Sequence, residues 1–251
     1  MKQGPQDSAI WPERFSPFTV SHAIVLVLFS VCTGLICSSL ASRSDPVRRR
    51  AEIALGGIFL AISSAYGVWW LLPGNLDISR SLPLHVCDIL SFIAPLALLT
   101  RNRRMTHIVL FCGLAFCTQA FIKPLSGPGP ASPDKWPQFW GFWLTHCLIV
   151  FTSIYALWIW QIRPNTRDLW FVSRVMYVYV LAAFVLDAFF GWNYAYVGRG
   201  TQTGETLADG LGPWPIRVLW IAIAGQIALT LVLLTRLLPA PRERESLDSP
   251  A

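Results

Sequence analysis

Seven long apolar stretches separated by short polar ones set the pattern of the chain. They run over residues 20–40, 54–72, 82–99, 105–122, 139–160, 169–190 and 214–238. A helix of about 20 residues crosses the hydrocarbon core of a bilayer, so apolar runs of roughly 18 or more read as membrane spans. The pattern predicts an all-α fold: a polytopic membrane helix bundle with about seven transmembrane helices, formed by one domain over residues 20–238. Residues 1–19 are expected to be a polar, proline-bearing tail, and residues 239–251 a short disordered one. No basic segment leads into a short apolar core at the start. A cleavable signal peptide is therefore not expected, and the first span is expected to serve as the insertion signal.

Composition agrees with this reading. Of 251 residues, 54% are hydrophobic and only 14% charged, where a soluble domain carries roughly a quarter charged residues. The connections leave no room for a soluble catalytic module, so any chemistry falls to the bundle. The net charge of +6 follows from how Lys and Arg divide between the two sets of connections. One set holds Arg43, Arg48, Arg49, Arg50, Arg101, Arg103, Arg104, Arg163, Arg167, Arg236, Arg242 and Arg244; the other holds Lys2, Arg14, Arg80, Lys123, Lys135, Arg199 and Arg217. The richer set should face the cytoplasm, with the N-terminus outside and the C-terminus inside, in the cytoplasmic membrane if the chain is bacterial. This distribution calls for no nucleic-acid partner. Tryptophans (Trp11, Trp69, Trp70, Trp136, Trp140, Trp143, Trp192, Trp214) gather toward the outer side, as an aromatic belt would. All six cysteines lie inside spans, which argues against a disulfide framework.

Within this apolar background the ionisable residues stand out. The segment LPLHVCDIL at 82–90 carries His85, Cys87 and Asp88 at the head of the third span, and His146 lies about two turns into the fifth. Thr118 and Gln119 close the fourth span. Asp187 nears the end of the sixth, Asn193 and Tyr194 follow it, and His22 opens the first. All fall at one depth on the outer side. Polar groups inside a membrane are costly and face the bundle interior or a cavity, so one shared pocket is expected. On a regular helix His85 and Asp88 lie on adjoining parts of one face and can pair. His85 and Cys87 point apart, so His146 is the better base for a Cys87 thiol. Cys87 is expected to lie too deep in its helix for the N-terminal dipole to help much. A packed, hydrogen-bonded Cys–His pair, a His85–Asp88 clamp fixing bundle register and a metal site are open alternatives at this level. No HxxxH or CxxC spacing supports the metal, and no metal or other cofactor is expected. A transporter or ligand-binding bundle using His85, Asp88, His146 and Asp187 is the competing class. Against it, the cytoplasmic half shows no comparable polar residues and no repeated discontinuous helices.

The motifs FSPFTVSH, LPLHVCDI, TQAFIKP, QFWGFWLTH, NYAY and LADGLGPWP, in that order over residues 15–238, resemble the YwaF-like family of bacterial integral membrane proteins and the animal transmembrane protein 164 group. The resemblance implies a lipid acyltransferase that moves fatty acyl chains between phospholipid and lysophospholipid, or a lipid hydrolase if water resolves the intermediate, with Cys87 as nucleophile and His146 as its base. His85 and Asp88 would orient that site. His22, Thr118, Gln119, Asp187, Asn193 and Tyr194 would line the pocket, and Gln119, Asn193 or helix-end amides would bind the oxyanion. The glycine- and threonine-rich stretch between Asn193 and Leu207 departs from the family pattern.

Overall fold

The computed structural model describes residues 14–122, 124, 127–128, 135–199 and 209–238. The expected tail 239–251, with Arg242 and Arg244, lies outside the described residues, as do Lys2, Trp11, Lys123 and Leu207. Seven helices follow one another, α1 Val20–Ala41, α2 Asp45–Leu71, α3 Val86–Thr100, α4 Arg103–Ile122, α5 Trp136–Trp158, α6 Thr166–Phe190 and α7 Ile216–Leu237. Six of them are long and apolar enough to cross a membrane.

The third is the exception. Its apolar run starts at residue 82, but the helix starts at Val86 and has 15 residues, a length of about 22 Å. Hydropathy counted Leu82 and Leu84 into the span, but Pro83 between them has no N–H to offer a helix and disfavours helical backbone in the residue before it. A Leu84 N–H to Leu82 carbonyl bond of 2.7 Å closes a tight turn there instead. The first helical bond of α3 is Ile89 N–H to the His85 carbonyl, 3.1 Å.

Helices α3, α4 and α5 form the centre. Leu90, Ala94 and Ala97 pack with Val109, Phe111 and Cys112 and with Ile149 and Val150, all buried. Two glycines allow close approach around it. A Cβ at Gly113 would lie 2.3 Å from Ser153 Oγ, and one at Gly141 only 2.1 Å from the Tyr66 ring. Gly113 also opens a five-residue π-helical turn, Gly113–Cys117, within α4. The outer helices keep their large apolar side chains exposed: Val27, Leu28, Val31 and Leu35 on α1, Val178, Leu181 and Val185 on α6, Leu219, Ile223 and Ile227 on α7. Such continuous apolar surface on three helices is what a protein shows when lipid is its solvent.

The boundary expected at residue 19 needs adjustment. Arg14–Phe15 pairs antiparallel with Gly127–Pro128, and Phe15 is buried against Phe139 and Trp143, so residues 14–19 belong to the packed body. Trp143 likewise sits in the core, not in an aromatic belt.

The end rich in arginine is also more polar inside than expected. Glu52 on α2 is fully buried. It accepts from Arg101 Nε (2.6 Å) and Nη2 (3.1 Å), from the Tyr155 hydroxyl (3.0 Å) and from Trp160 Nε1 (2.8 Å). Arg101 also binds Asp45, and its guanidinium is held above its ordinary range by Glu52 first and Asp45 second. Nearby, His107 Nδ1 meets Asp168 at 2.9 Å and joins α4 to α6. These groups overturn the expectation of an unmarked cytoplasmic half.

Candidate functional site

At the opposite end a cavity of about 440 Å³ lies among α3, α4, α5, α6 and α7. His85, Cys87, Gln119, Phe142 and His146 form its head, with Tyr179 and Tyr196 beside them. Ser173, Met176, Gly225, Ala228 and Leu229 continue it between α6 and α7.

The cavity head is built on the start of α3. Because the helix begins at Val86, Cys87 is its second residue, within the first turn, and His85 is the N-cap. This corrects the expected depth and brings the helix dipole into play: first-turn N–H groups have no intrahelical acceptor and favour negative charge nearby. Cys87 and His146 both line this head of the cavity. His146 Nδ1 lies 2.7 Å from the Phe142 carbonyl. A carbonyl only accepts, so Nδ1 carries the proton and Nε2 is the bare nitrogen. Phe142 also covers the imidazole, with ring centroids 4.3 Å apart.

His85 and Asp88 take roles different from the expected side-chain pair. Asp88 Oδ2 accepts from the backbone N–H of His85 at 3.2 Å, while the His85 ring packs against Tyr194 and Tyr196 at 5.1 and 5.5 Å. The carboxylate thus caps the helix that carries Cys87.

Of the six residues expected to line the pocket, Gln119 does so. The other five are off the cavity wall and are committed elsewhere. His22 accepts from the Phe18 N–H at Nδ1 (3.0 Å) and reaches the Phe121 carbonyl through Nε2 (3.1 Å), tying α1 to the end of α4. The Thr118 hydroxyl donates to the Leu114 carbonyl, 2.7 Å. Asp187 Oδ1 accepts from the Tyr194 N–H, 3.0 Å, and Asn193 Oδ1 from the Gly198 N–H, 2.9 Å.

Tyr194 is the hub of this support. Its hydroxyl donates to the Ile78 carbonyl (2.7 Å) and accepts from the Leu82 N–H (3.1 Å), and the Tyr179 hydroxyl donates to the Leu84 carbonyl (2.7 Å). Three bonds therefore hold down the connection that leads into Cys87. In the same connection Ser79 donates to Asp77 from its hydroxyl and its N–H, keeping that carboxyl below its usual range.

Sequence reasoning missed Cys117, whose Sγ lies 3.5 Å from that of Cys87. Thirty residues separate the two, and only the π-helical turn ending at Cys117 reveals that α4 turns this residue inward. Tyr179, Ser173 and Gln226 were missed as well, since a lone polar residue in an apolar run has no register until its helix has neighbours.

Lipid-facing apolar helices around a polar-headed internal cavity define a multi-pass, all-helical membrane protein. More particularly, residues 17–234 match the model of the TMEM164 family, and the chain belongs to that family. No curated protein and no solved structure matches it.

Proposed function

We propose that the protein is a lipid acyltransferase that moves a fatty acyl chain from a phospholipid to a lysophospholipid through Cys87 and His146. One observation carries this reading. A thiol in the first turn of a helix and an imidazole whose Nδ1 is taken by a backbone carbonyl line the head of one largely apolar cavity. A nucleophile, a base and an oxyanion site are the parts that acyl transfer needs.

The steps balance as follows. His146 Nε2 takes the Cys87 proton and the thiolate attacks the ester carbonyl of the phospholipid. The tetrahedral oxyanion faces the free first-turn N–H groups of α3, with Gln119 as a further donor. Collapse breaks the C–O bond, and the departing lysophospholipid oxygen takes the proton back from His146, leaving a thioester on Cys87. The hydroxyl of a second lysophospholipid then gives its proton to His146, attacks the thioester and restores the thiol. Asp88 and Tyr194 hold the backbone in place and do not react.

The arginine-rich end faces the cytoplasm in this reading. The N-terminus and the catalytic half are then outside, and the C-terminus is inside. A C-terminal reporter active only in the cytoplasm should work; activity of an outside-only reporter would invert the orientation. The chemistry is tested by acyl exchange between labelled phospholipid and lysophospholipid in vesicles carrying the purified protein. Cys87→Ser preserves size and hydrogen bonding but is a far poorer nucleophile, so exchange should be lost with normal expression. Full exchange by that variant would rule out thioester catalysis and leave a ligand-binding bundle.

A further inference from the structure

The cavity does not end at the Cys87–His146 head. From there it continues between α6 and α7, where one wall is made of small residues, Ala222, Ala224, Gly225 and Ala228. Phe116 faces that wall, and a Cβ added at Gly225 would lie 3.6 Å from its ring. Ser173 stands at the far end. It is fully buried, and its Oγ has no hydrogen-bond partner among the described residues. Tyr177 and Ala224 line the cavity and are also exposed on the outside of the bundle. The slot between α6 and α7 therefore opens sideways, toward lipid. The Tyr177 hydroxyl donates to Gln226 Oε1 at 2.8 Å and bridges the two helices across it.

We infer that this channel holds the acyl chain of a membrane lipid, its carbonyl at Cys87 and its methyl end toward Ser173 and Leu229, and that the α7 face carrying Gly225 and Ala228 sets the chain length accepted. The inference rests on the acyl-transfer reading for the position of the carbonyl. Three features identify the occupant: the wall is mostly apolar, it opens on the surface that lipid covers, and it is continuous with the thiol. A volume of about 440 Å³ lies in the range of small-molecule sites, about 300–1,000 Å³, ample for one acyl chain. Gly225 and Ala228 are three residues apart, nearly one turn, with Gly225 nearer the Cys87 end. Filling each position should therefore shorten the channel by a different amount.

The test uses the purified full-length protein in vesicles with phosphatidylcholines whose chains lengthen by two carbons at a time and end in a photoreactive diazirine. Peptide mass spectrometry reads the crosslinked residues in wild type, Gly225→Ala, Gly225→Leu and Ala228→Leu, each also with Cys87→Ala. Long chains should label Met176, Ser173 or Leu229 in wild type. Ala228→Leu should reduce that labelling for the longest chains alone, by about tenfold or more, as crowding a hydrophobic pocket does. Gly225→Leu should reduce it for intermediate chains too. Gly225→Ala makes only ordinary contact with Phe116 and serves as the folding control; it should keep most of the labelling. The pattern should survive Cys87→Ala, so exchange activity that persists without Cys87 would defeat the proposed reaction while this labelling still supported the channel. Labelling confined to lipid-facing Leu219, Ile223 and Ile227, or unaltered by either leucine, would overturn the inference.

Discussion

Two polar clusters sit at opposite ends of the same apolar bundle, and they are built on opposite principles. Around Glu52 the carboxylate is saturated: it takes Arg101, Tyr155 and Trp160, and Arg101 is shared with Asp45. Arg49 adds a contact to Glu52 at 3.5 Å and donates to the carbonyls of Leu98 and Leu99. No cavity is left. Around Cys87 the groups line 440 Å³ of space, with the His146 imidazole and the first turn of α3 at its head. Both clusters meet the membrane's high cost for polar groups, the first by mutual saturation and the second by keeping a volume that a ligand can fill. A polar residue in a membrane span is thus read by what its partners leave unfilled, and its mere presence decides little.

The comparison can be broken most sharply on the reactive side. Cys87→Ala and His146→Ala should each lower acyl exchange by about a hundredfold or more, the scale on which a positioned base and nucleophile act. Their double variant should be little worse than either, because the two residues work as one unit. Cys112→Ala should keep most of the activity, as Cys112 is a buried core residue; a loss equal to that of Cys87→Ala would deny Cys87 its special place. On the saturated side, Glu52→Ala should leave the Arg101 charge without its buried partner and destabilise the fold by about 3–5 kcal/mol. It should be visible as lower thermal stability in detergent, with activity per folded molecule nearly unchanged. A Glu52 variant that folded normally but lost exchange would erase the distinction between the two ends.

Tyr194→Phe tests the link between structure and chemistry. It removes two part-buried bonds to the connection before α3, a cost of about 1 kcal/mol. Exchange should fall severalfold through misplacement of Cys87, while thiol labelling of Cys87 persists. The smallest effect belongs to His107→Gln, which loses the bond to Asp168. It should cost about 1 kcal/mol in stability and nothing in exchange rate per folded protein.

Much of the bundle was legible because a bilayer imposes one rule on every span, about 20 apolar residues in a row. The same rule misled at residues 82–85, where two leucines lengthen the apolar run while Pro83 keeps the backbone out of the helix. That shift of four residues moves Cys87 from the body of a helix to its first turn, and no hydropathy pattern contains it. That Cys87 and His146 line one cavity agrees with the shared depth read from the sequence. Which of the other polar residues share their cavity was not, because depth says nothing of the direction a side chain takes around its helix. His22, Asp187, Asn193 and Tyr194 lie at the right level, yet each is spent on a neighbouring backbone group. Glu52 was passed over for a related reason: it sits beside Arg48, Arg49 and Arg50, where a charged flank is ordinary, and its burial depends on Tyr155 and Trp160, more than a hundred residues away.

The central claim is that Cys87 accepts an acyl group, and intact-protein mass spectrometry after brief incubation with a phospholipid tests it most directly. The account predicts a mass increase of one acyl chain, mapped to Cys87, removed by neutral hydroxylamine as a thioester is, and absent in Cys87→Ala. An adduct on another cysteine, or active exchange with no adduct on Cys87 even when the acceptor lysolipid is withheld, would contradict it.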